Sequence, residues 1–129
     1  MNTDWENKSA CLQSDSYDGG VTWSKPYQTE MSSLNTPPHL TLLADGRLLA
    51  THASRRYPGS IYATVSNDEG ATWETQNTKV VVQDLPNWDS TYPTSAQFSD
   101  GSLITVWYAN RFGKYYIGYA KYALEELEK

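Results

Sequence analysis

Ser66-Asn67-Asp68-Glu69-Gly70-Ala71-Thr72-Trp73 has a counterpart fifty residues earlier, Ser16-Tyr17-Asp18-Gly19-Gly20-Val21-Thr22-Trp23. Both stretches read S-x-D-x-G-x-T-W. Self-similarity at a period of twenty to fifty residues is the mark of a repeat architecture, and it constrains the fold more than local propensity does. The pattern has the chemistry of a tight β-hairpin. Ser and Asp side chains hydrogen-bond backbone groups inside a turn. Gly20 and Gly70 supply the positive φ that a side-chain-bearing residue resists. Thr and Trp restart a strand, and the indole is expected under the hairpin as an apolar plug. None of these residues is a nucleophile or a general base in this pattern, so Ser16, Asp18, Gly20, Thr22, Trp23, Ser66, Asp68, Gly70, Thr72 and Trp73 read as structural.

A second repeat interlocks with the first. Leu42-Leu43-Ala44-Asp45-Gly46-Arg47-Leu48-Leu49 parallels Gln97-Phe98-Ser99-Asp100-Gly101-Ser102-Leu103-Ile104, and Asp-Gly between apolar runs is a strong hairpin signal. The spacing predicts strands over 9–16 and 22–30 around the first hairpin. It then predicts a complete four-stranded meander over 39–44, 47–54, 60–66 and 72–82. Three strands of another follow over 94–99, 102–109 and 114–122. The last stretch, 123–129, reads as a short helical tail, too short to be stable alone.

The S-x-D-x-G-x-T-W pattern resembles the Asp-box, or BNR repeat, of sialidases and of several non-enzymatic β-propellers. In that family it closes the turn between the third and fourth strands of a blade. The resemblance implies an all-β fold, a partial β-propeller of four-stranded antiparallel meander blades with Asp-box hairpins. The whole chain, 1–129, then forms one partial propeller unit: a half blade over 9–30, a full blade over 38–82, an incomplete blade over 93–122 and a tail over 123–129. A closed propeller needs four to eight blades, and six blades at this spacing need about 300 residues. The 129 residues cannot close alone. Either they belong to a longer protein, or copies self-associate. In the second case the half blade completes a neighbour's incomplete blade; a trimer, giving six blades, is favoured, and a dimer would give four.

Composition narrows the function classes. Ten Tyr and five Trp against two Phe form an amphipathic aromatic set, suited to sheet surfaces or to sugar-facing clefts. The net charge of −5 and a pI of about 4.8 argue against nucleic acid and anionic membrane as partners. Cys11 is the only cysteine, so no internal disulfide forms. No apolar run approaches the length of a membrane span. The sequence Met1-Asn2-Thr3-Asp4-Trp5-Glu6-Asn7-Lys8 has no signal-peptide core, which reads as cytoplasmic for the chain as it stands and leaves secretion open if it belongs to a longer sialidase. His39 and His52 have no zinc-ligand spacing, and no phosphate loop is present; neither a metal nor a cofactor is expected.

Successive turns of a meander alternate between its two ends. Asp-boxes and Asp-Gly turns therefore share one end. The other end collects Pro37, Pro38 and His39, the loop Arg55-Arg56-Tyr57-Pro58-Gly59, the stretch Trp88-Asp89-Ser90-Thr91-Tyr92-Pro93, and Arg111-Phe112-Gly113. Three of the four arginines fall there. Loops on a rigid scaffold carry function, but loops are also polar by default, so a ligand site and a solvated rim both fit. Arg55, Arg56, Arg111, Trp88 and His39 are the ligand-binding candidates, with a carbohydrate as the ligand class.

From Pro38 to Tyr122 the chain is similar to the later blades of sialidase-like BNR proteins, whose pattern runs DGR-LL, a basic loop with Pro and Gly, the Asp-box, W-D-x-x-Y-P and a DG hairpin. Sialidases bind a sugar bearing a carboxylate, which guanidinium groups grip. They use a tyrosine nucleophile paired with a glutamate, and an aspartate as acid/base. The resemblance makes Tyr92 and Asp89 the catalytic candidates; a structural tyrosine at position 92 is the other reading. The N-terminal blades that carry the family's aspartate and one arginine have no counterpart here, and no glutamate falls on the expected ligand end. The resemblance thus implies an anionic-glycan-binding module with no complete catalytic site in one chain. The alternatives are a fragment of an exo-α-sialidase-type hydrolase and a non-catalytic protein-interaction propeller.

Overall fold

A computed structural model of the protein describes residues 10–34, 36–56 and 58–128. Tyr57 of the basic loop, residue 9 of the first expected strand, residue 129 of the expected tail and the N-terminal stretch 1–8 lie outside the described residues. Among the described residues, nine strands make up three antiparallel sheets. β1 (Ala10–Gln13) pairs with β2 (Tyr27–Ser32). β3 (His39–Leu42), β4 (Leu48–Ser54), β5 (Gly59–Ser66) and β6 (Lys79–Leu85) follow one another as a meander. β7 (Thr91–Gln97), β8 (Leu103–Arg111) and β9 (Lys114–Tyr122) form a second meander.

Each Asp-box is a self-contained knot of hydrogen bonds. In the second, Ser66 Oγ donates to Asp68 at 2.8 Å and accepts from the Gly70 N–H at 2.8 Å, while Thr72 gives Asp68 both its N–H, at 2.8 Å, and its hydroxyl, at 2.5 Å. The first repeats the set with Ser16, Asp18, Gly20 and Thr22. Gly20 and Gly70 stand at φ 90° and 88°, as the turn requires. These bonds hold the carboxylates below their ordinary range. The Thr22 hydroxyl is the largest cause at Asp18, which falls to about 2, and the Thr72 hydroxyl at Asp68.

The two indoles part company, which corrects the expected plug in the first hairpin. Trp73 is 6% exposed, packed with Cys11, Met31 and Ala50, and its Nε1 donates to Gln13 at 3.0 Å. Trp23 is 63% exposed, and its Nε1 donates back to Gly20 O at 3.0 Å. The β1–β2 sheet covers Trp73, and no described sheet stands on the corresponding side of Trp23. The strands after the Asp-boxes also start later than expected. A Ser24–Asp15 backbone bond and then Pro26, which has no N–H, delay β2 to Tyr27; a 3-10 turn over Thr75–Asn77 delays β6 to Lys79. β7 starts earlier, at Thr91, through a bulge before Thr94.

Strand parity explains the core. On β4, Leu49, Thr51 and Ala53 face one way and pair with Val65, Ala63 and Ile61 on β5. That face is buried under Leu103 and Tyr122 at one end and Trp107 and Ala109 at the other. The opposite face of β4, with Leu48 and Ala50, lies toward Cys11 and Met31 of the β1–β2 sheet. β4 is therefore buried on both faces, like a strand between two packed layers. Buried His52 links these layers: Nδ1 bonds Ser32 O at 2.6 Å and Nε2 bonds Thr64 Oγ1 at 2.9 Å.

The expected helical tail is a single 3-10 turn over Leu124–Leu127. So few residues cannot sustain α-helix, and side chains hold the turn instead. Glu126 accepts from the Ala123 N–H at 2.7 Å and from Lys79 at 3.0 Å, Glu128 pairs with Arg47 at 2.6 Å, and Leu127 is buried in the main core.

Candidate functional site

At the end of the sheets away from the Asp-boxes, β4 hands over to a loop and β7 begins. Two consecutive residues there have left-handed backbone, Thr91 at φ 93° and Tyr92 at φ 47°. A β-branched residue at such a φ is a steric outlier, and outliers of this kind cost about 1–3 kcal/mol each and cluster at functional sites. The surroundings enforce the conformation. Thr91 is fully buried and donates to Thr36 Oγ1 at 3.1 Å. The preceding loop is tied by Ser90 Oγ to Asn87 O at 2.9 Å, and by Asn87 Nδ2 to Asn110 O at 2.8 Å. The consequence is that Tyr92 is turned out, half exposed, at the head of β7.

Arg55, just past the end of β4, meets it. The guanidinium carbon lies 5.1 Å from the Tyr92 ring centroid. Nε donates to Ser90 O at 3.1 Å and Nη2 to Tyr108 Oη at 3.2 Å. Tyr108 in turn donates to Asp89 Oδ1 at 3.0 Å. The other carboxylate oxygen accepts from Tyr115 Oη at 2.5 Å and Asn110 Nδ2 at 3.3 Å. Three tyrosine rings run in a row, with centroids 5.6 Å apart for Tyr92 and Tyr108 and 6.4 Å apart for Tyr108 and Tyr115. The Tyr115 hydroxyl, foremost, lowers the Asp89 pKa, with help from Tyr108, Asn110 and the charge of Arg55. Desolvation and the bond to Asp89 raise that of Tyr108.

Of the residues singled out from sequence, the structure brings Arg55, Asp89 and Tyr92 into one cluster. Trp88, which precedes Asp89 in the chain, is exposed, and Arg111 is exposed at the β8–β9 hairpin tip. The Arg56 N–H caps its own loop on Ser54 Oγ at 3.2 Å. His39 is not hydrogen-bonded to the cluster: its Nδ1 accepts from the Ser95 N–H at 3.3 Å, joining β3 to β7. The partners the sequence reading missed are Tyr108, Asn110, Tyr115 and Ser90. A signal for three of them was present. Tyr108 and Asn110 alternate on one face of β8, and Asn110 pairs with Tyr115 across the hairpin.

The match to a family model of the BNR repeat-like domain runs from residue 3 to residue 105, most of the chain, and takes in both Asp-boxes. The chain belongs to the BNR repeat-like family. No curated protein and no solved structure gives a significant match. Membership of the BNR repeat-like family accounts for the hairpin chemistry and the all-β sheets.

The glutamates bonded through their side chains lie elsewhere: Glu74 with Gln76, Glu126 with Lys79, Glu128 with Arg47. Among the described residues no group of histidine, cysteine, aspartate or glutamate forms a metal site. The cluster's chemistry is that of a fixed guanidinium flanked by aromatic faces, with one ionised carboxylate held behind it.

Proposed function

We propose that this chain is a sialidase-like BNR propeller module that binds an anionic carbohydrate at its Arg55–Tyr92 end and has no complete hydrolytic site of its own. The reading takes the three sheets as a half blade over 9–30, a full blade over 38–82 and an incomplete blade over 93–122. What carries the binding proposal is the placement of Arg55, 5.1 Å over the Tyr92 ring and bonded to Ser90 and Tyr108. Two of its donors are spent on fixing the group, and the planar fork retains others for a carboxylate. The aromatic row beside it offers flat apolar surface to a sugar ring.

The hydrolase reading is weaker. The hydroxyl donors on Asp89, Tyr115 foremost, lower its pKa, the direction opposite to the one a general acid needs, and among the described residues no glutamate is hydrogen-bonded to Tyr92 as an activating base. Titration calorimetry with sialic acid, against neutral N-acetylglucosamine, tests the proposal. The expected result is binding of the acid sugar alone, weakened about tenfold or more by Arg55→Ala, the size of a lost charge-assisted contact. Equal binding of the neutral sugar, or unchanged affinity in Arg55→Ala, would overturn it.

A further inference from the structure

The repeat shows what its own uncovered face should carry. Leu49, Thr51 and Ala53 on β4 correspond to Ile104, Val106 and Tyr108 on β8 in the Asp-Gly repeat. The β4 residues are completely buried because the β7–β9 sheet lies on them. The β8 residues share their face with Ile117 and Tyr119 of β9, through the pairs Tyr108–Ile117 and Val106–Tyr119. No described sheet covers this face, and Ile117 and Tyr119 are 71% and 68% exposed. At the other end of the stack a second apolar surface stands open. Leu12 on β1 and Leu42 on β3 are 65% and 73% exposed. Beside them a groove of about 220 Å³ is lined by Leu12, Leu40, Leu48, Ala50 and Trp73.

Charge tells the two ends apart. Strands β8 and β9, residues 103–122, carry Arg111, Lys114 and Lys121 and no acidic residue of their own; the one carboxylate that Tyr108, Asn110 and Tyr115 hold, Asp89, leaves the sheet with an excess of positive charge. Residues 10–32 carry Asp15, Asp18 and Glu30 against Lys25 alone. Glu30 shares the face of Leu12, since Leu12 pairs with Gln28 two residues before it. A β8–β9 face laid on its own copy sets like charges together; laid on the β1–β3 end it meets opposite ones. We propose that the Asp-Gly-turn half of the outer face of β8–β9, Ile104, Val106, Ile117 and Tyr119, docks head-to-tail on the β1–β3 surface of a second copy of this chain and leaves the Arg55–Tyr92 end open. The contact is face on face. β1 and β9 both hold the third place of the repeat, so the half sheet and the three-stranded sheet together carry one strand too many for a shared four-stranded blade.

Light scattering coupled to size exclusion tests this with two exposed-site variants, Ile117→Glu on one face and Leu42→Glu on the other. The wild type is expected above the 14.5 kDa monomer mass, with its association weakening as salt is raised. Each variant alone should lose assembly to a monomer of unchanged circular dichroism. Their equimolar mixture should recover a species of twice that mass, because one intact pair of faces remains. A monomeric wild type would overturn the proposal. So would a Leu42→Glu chain that still assembles, a mixture that stays monomeric, or an association indifferent to salt.

Discussion

Arg55 reaches Asp89 through one hydroxyl: Tyr108 Oη accepts from the guanidinium at 3.2 Å and donates to the carboxylate at 3.0 Å. The relay fixes the arginine without neutralising it by direct contact, which leaves its charge available to an anion. Tyr108→Phe keeps the ring stack with Tyr92 but cuts the relay. The expected outcome is an unchanged melting temperature to within a few degrees and acid-sugar affinity down about three- to tenfold, the size of one ordinary hydrogen bond, since the arginine keeps its bond to Ser90 O. Calorimetry on the variant checks it; undiminished affinity would mean the relay does not position Arg55.

The Asp-boxes make a prediction about acid. Asp18 and Asp68 have folded pKa values below their ordinary 3.8, chiefly through the Thr22 and Thr72 hydroxyls. A depressed carboxylate pKa contributes stability that is full above the unfolded value and is lost as pH falls through the folded one. The melting temperature should therefore fall steeply from about pH 4 toward pH 2. Asp68→Asn should melt lower at neutral pH and show a shallower fall in that window. Differential scanning calorimetry across pH decides it.

A separate dependence belongs to His52. Burial lowers its pKa, opposed by the bond to Ser32 O. The folded protein thus resists protonating a ring that the unfolded chain protonates below about pH 6.5. Stability is present above that value and declines as pH falls through it, by at most about 1.4 kcal/mol per unit for one proton. Urea unfolding between pH 7 and pH 5 should show this slope in the wild type and not in His52→Gln. An identical slope in both would assign the effect to other groups.

The fold was legible because the Asp-box is a local motif: its bonds join Ser66, Asp68, Gly70 and Thr72, all within one turn. Alternation between the two ends of a meander then brought Arg55, Asp89 and Tyr92 together on paper. What parity cannot supply is the chain's fine path. The left-handed pair Thr91 and Tyr92 depends on a buried bond to Thr36, fifty-five residues away in sequence. Trp23 and Trp73 occupy identical motif positions and differ only in what lies beside them. Tyr115 was within reach of strand alternation and hairpin pairing with Asn110, though no motif marks it.

Gly118 offers the sharpest test of packing between the sheets. It pairs with Trp107 across β8 and β9, and a Cβ there would stand 2.6 Å from the indole Cε2 and Nε1. That indole is itself packed among Ala53, Ile61, Leu85 and Ala109, so it has little room to retreat. Gly118→Ala should cost about 1–3 kcal/mol, as overpacking does. In a Trp107→Leu background the ring is gone and the same substitution should cost much less, since only contacting residues couple in this way. A double-mutant cycle by urea unfolding measures the coupling. Equal costs in the two backgrounds would place the strain of the alanine in the β9 backbone and not against the ring.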